Sequence, residues 1–197
     1  AGGGVHRVWL RERNRARGWR GALGQSLSLY YRHKLAEEAR LYASPMLRAV
    51  ICNSRMVARE IREEYGVDPA RLRVIYNGVD SDHFRPGAQR AESLQVRARL
   101  GIHPEAPVFL FVGSGFERKN LAGAIRALAQ VSRPDVQLIA VGQDKQAGRY
   151  RALARRLGVG RQVHLVGPQN DVRPWYGAAD ALVLPTLYDP FATVVLE

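Results

Sequence analysis

The sequence lacks the features of several protein classes. It holds one cysteine, Cys52, among 197 residues, so no internal disulfide can form, and a reducing, cytoplasmic setting is expected. No apolar run approaches the roughly 20 residues that a membrane-spanning helix needs. The spacing of zinc ligands and a Gly-x-Ser-x-Gly nucleophile elbow are also absent, which disfavours metalloenzymes and α/β-hydrolases.

The ends of the sequence also lack the usual signals of a complete chain. The first residue is Ala1 rather than methionine, no secretory signal pattern follows it, and Glu197 falls inside a predicted helix. We therefore expect the chain to be part of a longer protein.

Its 46% apolar and 24% charged residues are typical of a soluble globular protein with a core.

Positive charge is abundant and unevenly distributed. The formal net charge is +12, and residues 7–20 hold six arginines against one glutamate. Such density indicates an anionic partner or simply a solvated basic face. Apolar residues alternate with these arginines, as in interfacial membrane segments and also as in helices that contact a core: Val8, Trp9, Leu10, Trp19 and Leu23. We predict that residues 7–23 meet an anionic membrane surface, with the core alternative open. No nucleic-acid-binding motif accompanies the charge, so no nucleic-acid partner is expected.

Short apolar segments alternate with helical patterns along the chain. Strands are predicted at residues 48–52, 72–76, 108–112, 136–141, 163–166 and 181–184. Helices are predicted at residues 27–41, 55–65, 94–100, 121–131, 149–157, 171–178 and from 192 onward. This alternation predicts doubly wound α/β domains with parallel sheets. We place part of a first domain at residues 1–84, a linker at 85–106 and a second domain at 107–197.

Ligands of such sheets bind beyond the carboxyl ends of the strands, where three loops of the second domain should meet. The loop at residues 113–120 carries two glycines that allow close backbone approach, and Arg118 and Lys119 follow just before a helix. Two cations at a helix N-terminus can neutralise a diphosphate, although such a pair is also common on protein surfaces.

The other two loops, at residues 167–171 and 185–191, contribute acidic side chains. Asp171 suits either a ligand contact or a helix N-cap. Asp189 and Glu197 flank a predicted helix start, where acidic residues also simply complement the helix dipole.

Several motifs in a fixed order resemble the retaining glycosyltransferases of family 4 (group 1). They are Gly113-Ser114-Gly115-Phe116-Glu117-Arg118-Lys119-Asn120, Val141-Gly142-Gln143-Asp144, Val166-Gly167-Pro168-Gln169-Asn170-Asp171-Val172, Ala178-Ala179-Asp180, Pro185-Thr186-Leu187-Tyr188-Asp189-Pro190-Phe191 and Val194-Val195-Leu196-Glu197. Upstream, residues 50–54 and 75–80 are similar to the stretch that connects the domains of this family. Within it, the chain is similar to lipopolysaccharide core glucosyltransferases.

This resemblance implies a GT-B architecture, in which two Rossmann-like doubly wound domains face a cleft, both being incomplete in this fragment. It assigns catalytic contacts to three residues: Arg118 and Lys119 at the donor diphosphate and Asp189 at the donor-sugar hydroxyls. Asp189 stands where the family has a glutamate and is shorter by one methylene. The implied donor-binding residues are Gly113, Gly115, Val172 at the base, Phe191, Ala192, Thr193 and Val194 with their backbone at the phosphate, and Glu197 at the ribose.

The implied activity is transfer of a hexose from a nucleotide-diphosphate sugar, with a UDP-sugar expected, to a glycan or lipid-linked acceptor. Lipopolysaccharide core or another cell-envelope polysaccharide would be the acceptor, and the protein would be cytoplasmic and peripheral at the inner face of the membrane. Because cations and a helix N-terminus can stabilise the leaving diphosphate, neither a metal nor another cofactor is expected. A nucleotide-sugar epimerase or a sugar-phosphate synthase on the same fold is the alternative, and a basic nucleic-acid-binding module is a more distant one.

Overall fold

The computed structural model describes residues 4–18, 28–87 and 90–197. Contacts divide them into two compact units. The first comprises the described residues up to Gly78 together with Leu187–Thr193, and the second comprises the described residues of Val79–Thr186 together with Val194–Glu197. A compact unit need not coincide with a domain of the complete protein, so the predicted domain limits after residues 84 and 106 stay predictions.

The first unit contains three described helices and two parallel strands. The helices are α1 (His6–Arg17), α2 (Leu29–Ala43) and α3 (Arg55–Tyr65), and the strands are β1 (Val50–Cys52) and β2 (Leu72–Val74). Val50 lies opposite Leu72 in the parallel ladder, and a short 3-10 helix, Pro69–Arg71, precedes β2. This is the strand–helix–strand unit that the sequence predicted.

Helix α3 shows why this part of the sequence folds as predicted. The Ser54 side chain accepts a hydrogen bond from the Val57 N–H at 3.2 Å, which caps the helix start. Gly66 ends the helix in the left-handed conformation, with φ of 64°, which glycine adopts without a steric penalty. Val57 and Ile61 lie on its buried face. Because cap, apolar face and terminator are all local signals, the predicted bounds at residues 55–65 are confirmed.

The second unit is built around a four-stranded sheet. Its strands are β3 (Val108–Val112), β4 (Gln137–Val141), β5 (Val163–Gly167) and β6 (Ala181–Leu182), in the order β5-β4-β3-β6 with every pair parallel. Its helices are α4 (Arg90–Arg99), α5 (Leu121–Leu128), α6 (Ala147–Arg156) and α7 (Arg173–Gly177).

Helices cover both faces of this sheet. On one face, Phe111 and Leu138 pack against apolar side chains of α5 and α6. On the other face, Leu110 and Ile139 pack with Val96 of α4 and Trp175 of α7. Since neighbouring residues of β3 and β4 point into different clusters, each central strand is buried on both sides. The second unit is therefore doubly wound, as predicted.

Several predicted helices differ from those observed, and the helix predicted at residues 121–131, for example, ends at Leu128. Helix α4 begins at Arg90 rather than at residue 94, because the mostly polar residues of its first turn show no apolar pattern. The helix predicted from residue 192 is wrong: the structure has a 3-10 helix, Thr193–Val195, and Glu197 is not inside an α-helix.

Across the parts of the chain that the structure describes, no helix has the length and apolarity to cross a membrane.

Candidate functional site

Three glycines mark the carboxyl edge of the second sheet. Gly113 and Gly142 directly follow β3 and β4, and Gly167 is the last residue of β5. Their φ angles are 143°, 134° and 79°, a region that side chains rarely adopt. The Gly113 N–H donates to Val141 O and the Gly142 N–H donates to Gly167 O, both at 2.9 Å. The glycines therefore turn the chain away from the sheet while the edge stays hydrogen-bonded.

The backbone at Gly142 lies unusually close to that at Gly113. A Cβ atom on Gly142 would stand 2.3 Å from the Gly113 carbonyl oxygen, well inside van der Waals contact. The sequence reasoning did not single out Gly142 as a site residue. Because Gly142 has no side chain, the loop at residues 113–120 can approach the end of β4 this closely.

Lys119 lies next to the same edge and is largely buried. Only 7% of its surface is exposed, although cation pairs of this kind are common on protein surfaces. Its Cε atom would be 3.2 Å from a Cβ on Gly113, so the side chain folds across the glycine backbone. Arg118 beside it is only partly exposed. The Lys119 side chain therefore lies beside the carboxyl end of β3.

Asn120 fixes the junction between this loop and α5. It is the N-cap of α5 in the left-handed conformation, with φ of 56°, and its side-chain oxygen accepts from the Gly123 N–H at 3.1 Å. Its Nδ2 donates to Pro185 O at 3.0 Å. An asparagine before an apolar helix is an N-cap signal, and the sequence reasoning missed it here.

The loop after β6 divides between the two units. Its first part stays in the second unit, where the Thr186 hydroxyl donates to Arg118 O at 3.1 Å. The predicted meeting of the loops at residues 113–120 and 185–191 is thus confirmed at Pro185 and Thr186. Residues 187–193, which include the predicted site residues Asp189, Phe191, Ala192 and Thr193, belong to the first unit. There the centroid of the Phe191 ring lies 5.8 Å from the centroid of the Tyr76 ring.

The loop after β5 is organised by a local ion pair. Asp171 accepts hydrogen bonds from Arg173 Nε at 2.9 Å and from Nη2 at 2.7 Å. These bonds hold the pKa of Asp171 below its usual value, so the carboxylate stays charged. Asp171 also accepts from the Arg173 N–H, while Val172 is the N-cap of α7. Asp171 thus supports the start of α7 from one position before the N-cap, and the N-cap role expected for it belongs to Val172.

Glu197 is held by a tyrosine that the sequence did not indicate. The Tyr176 hydroxyl donates to Glu197 Oε2 at 2.8 Å and lies 3.3 Å from Val194 O. Burial, and then the bond to Glu197, raise the pKa of Tyr176, which keeps its proton available for donation. Both side chains line a cavity of about 420 Å³ that also includes Phe84 and Arg90. Its volume lies in the range of small-ligand sites.

No group of three histidine, cysteine, aspartate or glutamate side chains with metal-binding geometry occurs within residues 4–18, 28–87 and 90–197. The expectation that no metal takes part stays a prediction.

The sequence matches two family profiles over most of its length. Residues 93–197 match Glycosyl transferases group 1, and residues 3–83 match Glycosyltransferase Family 4. A D-inositol 3-phosphate glycosyltransferase 2 of Catenulispora acidiphila is 35% identical over 161 residues, which cover 75% of this chain and 37% of that protein. The chain thus spans little more than a third of this relative.

Solved structures give the same result for the fold. WaaG, a glycosyltransferase involved in lipopolysaccharide biosynthesis, superposes with a TM-score of 0.75 at 30% identity, over 86% of this chain and 46% of WaaG. Sucrose-phosphate synthase of Thermosynechococcus elongatus superposes with a TM-score of 0.64 at 29% identity, over 86% of this chain and 42% of that chain. The α/β fold with parallel sheets matches that of GT-B glycosyltransferases. The group 1 profile spans more than half of the residues of this chain. The chain therefore belongs to the group 1 glycosyltransferases of family 4.

Proposed function

We propose that the full-length protein transfers a hexose, with retention of configuration, from a nucleotide-diphosphate sugar to a glycan or glycolipid acceptor. The observation that carries this proposal is the buried Lys119, whose side chain crosses Gly113 just before the start of α5. A largely buried lysine beside a helix N-terminus places positive charge at the sheet edge where ligands of this fold bind. Such charge stabilises the diphosphate that departs when the anomeric bond breaks.

The remaining donor contacts follow the same arrangement. We assign Arg118 and Lys119 to the diphosphate, Glu197 to the ribose beside the cavity it shares with Tyr176, and Asp189 to the donor-sugar hydroxyls. The backbone near Val172 would contact the base, and no metal would be needed to neutralise the diphosphate. The expected donor is a UDP-sugar.

A calorimetric titration of the full-length protein with UDP-glucose, UDP-galactose and their ADP and GDP counterparts tests this assignment. Saturable binding of a UDP-sugar that persists at moderate salt, followed by sugar transfer to an acceptor, is the expected result. An isomerised nucleotide sugar formed without any acceptor would instead identify an epimerase. Failure to bind any nucleotide or nucleotide sugar would overturn the proposed function.

For the acceptor, we favour a cell-envelope glycan such as lipopolysaccharide core. The similarity to WaaG supports this choice. A second candidate is a small phosphorylated acceptor, since the similar Catenulispora protein is named for D-inositol 3-phosphate and another similar protein is a sucrose-phosphate synthase. Parallel assays with a core oligosaccharide and with D-inositol 3-phosphate, followed by mass spectrometry of the product, distinguish the two.

We also propose that the protein is cytoplasmic and docks on the inner face of the membrane through residues 7–23, of which residues 19–23 lie outside the described part of the chain. Within α1, Val8 and Leu10 are buried in the first unit, with 4% and 1% of their surface exposed. These two apolar side chains are core contacts, so the described part of the segment offers charge rather than inserted side chains. Arg7 and Arg15 are exposed, even though Arg15 pairs with Glu12 at 2.8 Å.

Docking through charge predicts binding to anionic but not to neutral vesicles, and loss of binding as salt rises. Replacing Arg7, Arg15 and Arg17 together by Gln should weaken co-sedimentation with phosphatidylglycerol vesicles by at least about tenfold, since each cation near such a surface contributes roughly 1 kcal/mol. The control changes Arg149, Arg151 and Arg156 of α6 to Gln, which alters the net charge equally. Equal losses in both triple variants would show that α1 is not the docking surface.

A further inference from the structure

Tyr188 is the most deeply buried residue of the segment that carries Asp189. Only 7% of its surface is exposed, and its ring packs in the core of the first unit with Val5, Val57 and Ile61. The neighbouring residues of the segment are only partly buried. Tyr188 therefore anchors the segment at residues 187–193 to the first unit.

The Tyr188 hydroxyl makes two buried hydrogen bonds. It accepts from the Val5 N–H at 2.8 Å and donates to Glu60 Oε2 at 2.6 Å. Glu60 lies on the buried face of α3 and is only 9% exposed. Burial raises the pKa of Glu60, and the bond from Tyr188 opposes that rise. A carboxylate in such surroundings is costly to leave without a donor, so the bond strongly specifies where the tyrosine lies.

The chain before α1 leaves room for this hydroxyl. A Cβ atom on Gly4 would lie 2.1 Å from the Tyr188 hydroxyl oxygen and 2.6 Å from Pro190 Cγ, so no residue with a side chain fits at this position without a shift. Three parts of the first unit, namely the glycine, a backbone N–H and a buried carboxylate, thus form a socket for Tyr188.

We propose that Tyr188 is a positioning residue for Asp189, the next residue in the chain, and that its socket fixes where the Asp189 backbone lies within the first unit. This inference rests on the proposed function, in which Asp189 contacts the donor-sugar hydroxyls. Aspartate is one methylene shorter than glutamate, so its reach depends more strongly on where the backbone is held. Displacements near 1 Å at such a contact lower rates by about 100-fold.

The test uses Tyr188→Phe in the full-length enzyme, which keeps the buried ring and removes both hydrogen bonds. We expect kcat/KM for the UDP-sugar donor to fall by about 10- to 100-fold, while the affinity for UDP, which lacks the sugar, stays within about twofold of the wild type. The matched control is Tyr42→Phe. Tyr42 packs against the same core, and this substitution also removes a tyrosine hydroxyl while keeping the ring. It should retain the wild-type kcat/KM.

A double variant separates positioning from a general effect on folding. If Tyr188 acts through Asp189, then adding Tyr188→Phe to Asp189→Ala lowers kcat/KM no further. A folded Tyr188→Phe enzyme with wild-type kcat/KM would overturn the positioning role while leaving the proposed function intact. So would a further loss in the Asp189→Ala background, or a loss matched by Tyr42→Phe. If the wild type binds no nucleotide sugar, the proposed function fails and the positioning role fails with it.

Discussion

Replacing Lys119 by Met in the full-length enzyme should lower kcat by about 10²- to 10³-fold, the usual effect of removing one preorganised donor to a developing negative charge. Methionine is preferable to alanine because the lysine stem packs across Gly113 and is only 7% exposed, so truncation would also open a cavity. Steady-state kinetics with the UDP-sugar donor measure the effect. A larger change in kcat than in KM is expected, since the charge matters most as the anomeric bond breaks.

Arg118→Met provides the comparison for this variant. Arg118 is more exposed than Lys119, so water screens its charge more strongly and we expect a smaller loss of kcat. Two cations that share one diphosphate should not act independently, and the double variant should lose less than the product of the two single losses. A folded Lys119→Met enzyme with near-normal kcat and KM would require the diphosphate site to be placed elsewhere.

Most of the fold could be predicted because its elements carry local signals. Strands β3 and β4 are short apolar runs, and the predicted bounds differ from the observed ones by at most one residue. Helix α3 has a serine cap and a glycine terminator. Where local signals are weak, prediction failed: the polar first turn of α4 was missed, and the stretch after residue 192 forms a 3-10 turn rather than a helix.

Contacts between residues distant in sequence could not be predicted. Tyr188 lies 128 positions from Glu60, and nothing near either residue distinguishes the pair from an exposed tyrosine and an exposed glutamate. Likewise, no periodic pattern shows that Lys119 is buried or that Tyr176 holds Glu197. The sequence identified which residues carry charge near the sheet edge, but the partners that orient them become visible only in the folded chain.

Replacing Gly142 by Ala should be the most destabilising single-methyl change at the sheet edge. The new Cβ would stand 2.3 Å from Gly113 O, a backbone atom that cannot rotate away as the end of a side chain could. The φ angle of 134° adds strain, because residues with a side chain rarely adopt it. Overpacking and backbone strain each cost roughly 1–3 kcal/mol, so we expect a loss of about 3 kcal/mol or more. Thermal unfolding monitored by circular dichroism should show a Tm lower by on the order of 10 °C.

Two other glycines separate the causes of this loss. Gly167→Ala introduces a positive-φ alanine with no atom within 4 Å of the new Cβ, so strain alone should lower the stability by roughly 1–2 kcal/mol. Gly148→Ala lies inside α6 with open space around it and should be neutral, or stabilising by up to about 1 kcal/mol. The largest loss is expected at Gly142 because only there does the methyl group meet backbone, which would move Gly113 and the Lys119 side chain that packs across it. If the Gly142→Ala protein were as stable as Gly148→Ala, the backbone at residue 142 would lie farther from Gly113 O in solution than the 2.3 Å expected for the new Cβ. The placement of Lys119, which packs across Gly113, would then have to be revised.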